Sequence, residues 1–305
     1  YNISNGLPTS LIRYLTLDGF GNIWGTTEKG LFSINNDEVI TYKDKFVESK
    51  QNFGKISIGK SGTVWTIGNG TICSFDGENV KYYDDDSQII EEGGGLLALD
   101  DGNVLFGGNA LRILIIENED FSFKTLDSTG WINDIKYTKD NNIIYSDSRE
   151  GLVVLEDFKK IHVHNEDNGF LFDAPTSVFV DNKGWVWSSH ASGGVGFYNG
   201  KIWSYLNTND GLHSNVIYLI VENNLSQYYF VNGEGYTKYI PNTNAGVVSI
   251  GGVGTAKKNY NPLNHSIIES IVNDRIRFNF SSLNHSNKSS RIKRYRINIE
   301  GDVYS

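Results

Sequence analysis

The sequence predicts an all-β fold, a β-propeller, and three observations predict it. The stretch Gly21-Asn22-Ile23-Trp24 returns as Gly62-Thr63-Val64-Trp65, Gly102-Asn103-Val104-Leu105, Asn142-Ile143-Ile144-Tyr145, Gly184-Trp185-Val186-Trp187 and a degenerate Ser226-Gln227-Tyr228-Tyr229. Its large apolar residues, at 24, 65, 105, 145, 187 and 229, are 41, 40, 40, 42 and 42 positions apart. The flanking segments also repeat, and the 33 Gly and 13% aromatic residues against 4 Pro suit many tight turns between aromatic strands. Four short strands per period of roughly 40 to 50 residues is the signature of a propeller blade. One such sheet cannot bury both faces, so blades must stack around an axis.

Each unit opens on an alternating strand, as in Leu11, Arg13, Leu15 and Leu17 against Ile12, Tyr14 and Thr16. A turn carrying Asp or Asn with Gly leads into the Trp-bearing strand. A loop then ends in Gly plus an apolar residue: Gly30-Leu31, Gly151-Leu152, Gly194-Val195 and Gly235-Tyr236. A third strand and a more polar fourth complete the unit, as in Leu31 to Ile34 and Val39 to Tyr42. Six units are visible, at 9–42, 50–84, 91–126, 130–166, 174–207 and 213–240. Connectors with Gly before an apolar residue join several units: Asn5-Gly6-Leu7-Pro8, Asn168-Gly169-Phe170 and Asp210-Gly211-Leu212. The connectors and the loops between second and third strands fall on one rim, which therefore collects the variable residues.

The period stops after Pro241. Residues 1–241 are expected to be propeller, 242–261 a Gly- and Asn-rich linker, and 262–305 the start of a β-sandwich. In the last segment Ser266 to Val272, Arg275 to Leu283 and Arg291 to Ile299 read as strands, and the middle one alternates Ile276, Phe278 and Phe280 with Arg275, Arg277 and Asn279. The rival reading is that these strands complete a missing blade.

The net charge of −9, from 27 Lys plus Arg against 36 Asp plus Glu, argues against a nucleic-acid partner. A single cysteine, Cys73, excludes an intramolecular disulfide framework and reads as a small core residue. No apolar run of 18 residues is present, and residues 1–10 do not resemble a signal peptide, so any leader or membrane span is expected outside this chain. Methionine is absent from all 305 residues, which raises the expectation that Met residues have dropped out of the sequence.

The pattern Gly6-Leu7-Pro8, Leu17-Asp18, Gly21-Asn22-Ile23-Trp24, Gly25-Thr26 and Gly30-Leu31-Phe32 resembles the two-component regulator propeller repeat. Val180-Asp181, Asp210-Gly211-Leu212 and Ser214-Asn215-Val216 echo it. The run Ile276 to Leu283, with Tyr295-Arg296-Ile297 and Glu300-Gly301-Asp302, resembles the Tyr-rich immunoglobulin-like domain that follows those propellers. The resemblance implies the periplasmic sensor region of an inner-membrane two-component histidine kinase, often a hybrid one, with the six units part of a seven-bladed ring. It further implies an oligosaccharide ligand, control of polysaccharide-utilisation genes, a homodimer through the full-length receptor, and kinase activity in a region outside this chain. The family pattern has one more residue between the Trp and the Gly-Thr pair than Trp24-Gly25 shows, a place where a lost Met is expected. The immunoglobulin-like part ends at Tyr304, where the family often has Trp.

Trp24, Trp65 and Trp187 invite sugar stacking, but a residue required in every unit is expected to pack blade on blade. Residues particular to one unit are better ligand candidates. On the rim these are Asp147, Arg149 and Glu150 of the fourth unit, His190 of the fifth and Glu234 of the sixth, with Trp131 and Asp173 on connectors. Together they offer the planar hydrogen-bonding groups and aromatic faces that sugars require. Glu28, Lys29, Asn69, Asn109, Ser192, Asn232, Phe172 and His213 share that rim.

No catalytic residue, metal site or cofactor is expected. His162-Val163-His164 lacks a third ligand and reads as a polar outer strand, and Asp84-Asp85-Asp86 lacks the Gly and Glu spacing of a calcium loop. No GxSxG, HExxH or P-loop occurs. The alternative functions are a propeller lyase or hydrolase acting on a glycan, with His190 and Asp147 or Asp173 as the acid/base pair, or a protein-interaction scaffold.

Overall fold

The computed structural model describes residues 1–84, 90–91, 94–128, 130–172 and 174–241, and the backbone of three further strands between 248 and 282. It divides into two units, Tyr1–Lys238 and Tyr239–Ser305.

The first unit is the propeller. Blade 1 is Ile12–Leu17, Ile23–Thr27, Gly30–Asn35 and Glu38–Thr41, paired antiparallel in that order. Blade 2 runs Ile56–Ile58, Val64–Gly68, Thr71–Phe75 and Val80–Asp84; blade 3 runs Leu96–Ala98, Val104–Phe106, Leu111–Glu117 and Asp120–Asp127. Blade 4 is Ile132–Tyr137, Ile143–Asp147, Gly151–Glu156 and Lys159–His164, and blade 5 is Pro175–Val180, Val186–His190, Gly194–Tyr198 and Trp203–Leu206. In blade 6, Leu219–Glu222, Tyr228–Asn232 and Gly235–Tyr239 form three strands, and a fourth is not found among the described residues.

Apolar seams between neighbouring sheets hold the blades together. Trp24 reaches Phe75 of blade 2 at 6.4 Å between ring centres, and Phe53, Cys73 and Phe75 are buried beside it. Trp65, Ile67 and Ile72 meet Phe106 and Leu114 of blade 3. Leu105 and Leu111 meet Tyr145 and Val153 of blade 4, and Leu152 meets Val178 and Trp203 of blade 5. Trp187, wholly buried, packs 4.4 Å from Tyr228 of blade 6. The repeated aromatic is therefore a packing residue, each such side chain contributing roughly 1.5–3 kcal/mol by burial. The two end faces differ: Leu15 and Leu17 of blade 1 and Leu219 and Val221 of blade 6 are exposed. The seventh blade that the resemblance implies is not found among the described residues.

The Gly-apolar connectors have a local cause. Asn2, Asn165 and Asn207 each cap a one-turn 3-10 helix, and the turn ends in Gly6, Gly169 or Gly211 with φ of 100°, 88° and 104°. Only glycine adopts that left-handed backbone cheaply. The next residue, Leu7, Phe170 or Leu212, then drops into the core.

The short spacing after Trp24 is accommodated. The ladder runs through Thr16↔Trp24 and Leu15↔Gly25 without a shift. Gly25 also has a packing reason, since a Cβ there would lie 2.2 Å from the Phe32 ring. Cys73 is fully buried, and burial pushes its thiol up to about 12.

His164 corrects the reading of a polar outer strand. Its ring is buried at the seam between blades 4 and 5, 5.3 Å from Trp203, whose Nε1–H donates to its Nδ1 at 3.3 Å. Burial, reinforced by the neighbouring His162, pulls its pKa down to about 4.

In the second unit Val248–Gly254 pairs antiparallel with Asn259–Tyr260 and with Arg277–Ser282. The expected linker 242–261 thus contains strand, and Arg277–Ser282 lies inside the expected Arg275 to Leu283 strand. The expected strands Ser266 to Val272 and Arg291 to Ile299 fall outside the described residues.

Candidate functional site

Among the described residues the 2–3 loops and blade connectors emerge on one rim, because four antiparallel strands return the chain to the side it started from. On the rim of blade 4 the sheet ends at Asp147, and the next two residues turn outward. Asp147 is fully buried. Its Oδ1 accepts from the backbone N–H of Arg149 at 2.7 Å and of Glu150 at 2.9 Å, and its Oδ2 accepts from Gly130 N–H at 2.9 Å. The carboxylate expected to meet a ligand is therefore the internal strut of the loop that carries Arg149 and Glu150.

Arg149 and Glu150 open onto a cleft of about 300 Å³ closed by Asn165, Glu166, Asp167 and Phe172. The capped 3-10 turn Glu166–Asn168 supplies the far wall, so the wall's position follows from the Asn165 cap. Phe172 is buried and stacks on His190 of blade 5 at 5.3 Å and 27°. His190 Nδ1 accepts from the Ser192 backbone N–H at 3.2 Å, so the other ring nitrogen carries the proton of the neutral form. Arg149, Glu150 and, through Phe172, His190 thus share one neighbourhood across the seam between blades 4 and 5.

The Glu150 carboxylate is anchored from outside the loop. Lys160 Nζ donates to Glu150 Oε2 at 2.5 Å and lies 3.2 Å from Asp127 Oδ2, which also accepts from the Tyr145 hydroxyl at 2.6 Å. Burial pulls the Lys160 ammonium down, but its bonds to Glu150 and Asp127 outweigh that and hold it above its ordinary value. Burial likewise pushes Asp127 up, and the bonds from Tyr145 and Lys160 more than reverse it.

The remaining expected residues are placed differently. Trp131, 37% exposed, is tied to the same loop by its backbone N–H donating to Ser148 Oγ at 2.8 Å. Glu234 stands on blade 6, where its Oε2 lies 2.9 Å from His213 Nε2. Asp173 lies outside the described residues. Sequence reasoning missed Asn165, Glu166, Asp167 and Lys160. The recurrence of Asn four residues before the connector Gly, at Asn2, Asn165 and Asn207, could have revealed the first three. Among the described residues no group of three or more His, Cys, Asp or Glu is placed to hold a metal ion. No helix among them is long and apolar enough to cross a membrane.

No family model matches the chain, and no curated protein matches it in sequence. Solved structures share its fold at low identity. A streptogramin B lyase aligns at TM-score 0.59 and 14% identity over 78% of this chain and 86% of its own. The extracellular domain of the hybrid two-component system BT4673 of B. thetaiotaomicron aligns at TM-score 0.58 and 12% identity, over 86% of this chain and 45% of its own. PorZ, a surface component of the type-IX secretion system of Porphyromonas gingivalis, aligns at TM-score 0.59 and 12% identity over 75% of this chain and 38% of its own. The chain thus spans less than half the length of the last two. What these likenesses establish is the propeller fold.

Proposed function

We propose that this chain is the ligand-sensing region of a two-component receptor and binds an oligosaccharide at the rim cleft of blades 4 and 5. The observation that carries the reading is the cleft itself. Arg149 and Glu150 are held by a buried strut, Asp147, opposite the polar turn at Asn165 to Asp167. A guanidinium, carboxylates and amides around a small opening match the vicinal hydroxyls of a sugar. The likeness to an extracellular domain of a hybrid two-component system supports the receptor reading and, with it, a periplasmic location. Membrane attachment and the kinase lie outside this chain, the receptor is a homodimer, and the immunoglobulin-like strands after the propeller pass the signal on. The ligand shifts the receptor only by its differential affinity for two arrangements of the dimer.

The region acts without catalysis. Of the residues that an acid/base pair would draw on, Asp147 is turned inward to backbone N–H groups, which supports this reading. Calorimetric titration of the chain with a panel of neutral and acidic oligosaccharides, each mixture then analysed for product, tests the reading. Saturable binding without turnover is expected, and cleavage of any glycan would replace the sensor with a lyase or hydrolase.

A further inference from the structure

The inner strands of all six blades line a central channel of about 700 Å³, distinct from the rim cleft. Its ionisable lining is Arg13, Lys55, Asp134 and Lys136, three cations against one carboxylate, in a chain whose net charge is −9. That excess of positive charge between low-dielectric walls favours an anion in the channel.

The single carboxylate is already satisfied. Asp134 Oδ1 accepts from Lys136 Nζ at 2.7 Å and from the Ile135 N–H at 3.1 Å, while Oδ2 accepts from the Val178 N–H at 3.2 Å. Burial pushes its carboxyl up, yet Lys136, Lys55 and these bonds hold it below the ordinary range, so it remains ionised. Lys55 is paired less closely. Its side chain is 14% exposed, its Nζ sits 4.5 Å above the Tyr14 ring and pairs with Asp134 Oδ1 only at 4.0 Å, and that Nζ makes no hydrogen bond among the described residues. An ammonium that faces the cavity with its donors uncommitted to the protein can take an acceptor that enters there.

We propose that the central channel is an anion site, with Lys55 as its main charge, for a carboxylate-bearing molecule the size of a sugar acid. The carboxylate bridges Lys55 and Lys136 in place of water, and Arg13 adds charge at longer range. The apolar and aromatic walls, among them Tyr14, Tyr218 and Val178, take the body of the ligand. The volume falls within the range of small-molecule sites, roughly 300–1,000 Å³, and far exceeds what a simple inorganic anion needs.

The test titrates the chain at low salt with D-galacturonate and, as the matched neutral ring, D-galactose. Saturable galacturonate binding is expected, at least tenfold tighter than galactose and weakened by salt. Lys55→Gln should lower that affinity about tenfold or more, the usual consequence of losing a charged hydrogen bond. Arg13→Gln, on an exposed side chain, should lower it severalfold and keeps the test valid if Lys55→Gln does not fold. Lys60→Gln, on an exposed side chain away from both the channel and the rim cleft, should leave galacturonate affinity unchanged. No saturable galacturonate binding, equal affinity for galactose, or full affinity in the folded Lys55 and Arg13 variants would overturn the proposal. Loss in Arg149→Ala alone would overturn it too and assign the ligand to the rim.

Discussion

The Tyr228 hydroxyl of blade 6 donates to Asp181 Oδ2 of blade 5 at 2.6 Å, across the seam between the two sheets. The same carboxylate accepts from the indole N–H of Trp187 at 2.9 Å and from the backbone N–H groups of Lys183 and Trp185 at 2.9 and 2.8 Å. One buried side chain thus fixes a hairpin, orients the repeated Trp and latches the next blade. Blade 1 repeats the first two roles, with Asp18 accepting from Trp24 Nε1 at 3.0 Å and from the Phe20 and Asn22 N–H groups.

Asp181→Ala orphans several donors at once, the Trp187 indole N–H and the Tyr228 hydroxyl among them. A loss of about 3 kcal/mol or more in urea unfolding at pH 7 is expected. Asp18→Ala, on a more exposed blade, should cost less. Equal losses at the two positions would show that the seam bond from Tyr228 adds nothing.

Acid should destabilise the propeller first through His164. Its folded pKa is depressed to about 4, so below the unfolded value of about 6.5 the unfolded chain takes up a proton that the buried ring refuses. Stability is therefore fully present above that value and falls as pH drops from about 6.5 to 4, by about 3 kcal/mol at most. Asp18, Asp127 and Asp134, whose carboxyls lie below the ordinary range, add losses only at lower pH. His164→Phe should start less stable, because the Trp203 N–H loses its acceptor, yet show a smaller loss between pH 7 and 4. An unchanged slope in that variant would remove His164 as the cause.

Two glycines separate backbone strain from collision. A Cβ at Gly211 would meet nothing within 4 Å, so Gly211→Ala should cost only the left-handed backbone penalty of about 1–2 kcal/mol. At Gly194, with φ of 87°, the same methyl would lie 2.2 Å from the Leu206 carbonyl oxygen. Gly194→Ala should therefore melt well below Gly211→Ala, and matched melting temperatures would contradict the packing at this turn.

The propeller was legible because the demand that makes it is repeated. Each blade must bury an aromatic against its neighbour, so Trp24, Trp65 and Trp187 recur in sequence and recur in the seams. The rim cleft was half legible. Arg149 and Glu150 stand out as departures from the repeat, but nothing along the chain distinguishes them from Asp147, whose carboxylate turns inward. Lys160, the partner of Glu150, sits on an outer strand ten residues on and reads as solvated surface. The channel was not legible, because Lys55, just before the inner strand of blade 2, meets Asp134 and Lys136 of the inner strand of blade 4 only when the sheets are stacked. His164 was misread because its strand alternates like an exposed one, and only the next blade covers it.

The rim cleft makes separable demands on Asp147 and Arg149. Arg149→Ala removes a side chain at the cleft and none of the bonds that hold the loop, so its unfolding free energy should stay within about 0.5 kcal/mol of the parent. Oligosaccharide affinity should nevertheless fall tenfold or more. Asp147→Ala leaves the N–H groups of Gly130, Arg149 and Glu150 without their acceptor inside the fold, and should lose about 2 kcal/mol or more of stability along with binding. Asp147→Asn keeps an acceptor oxygen of the same reach and should recover part of both. If Arg149→Ala binds the oligosaccharide as tightly as the parent, the guanidinium is not a ligand contact. If Asp147→Ala loses affinity with no loss of stability, the carboxylate meets the sugar directly and is more than a strut.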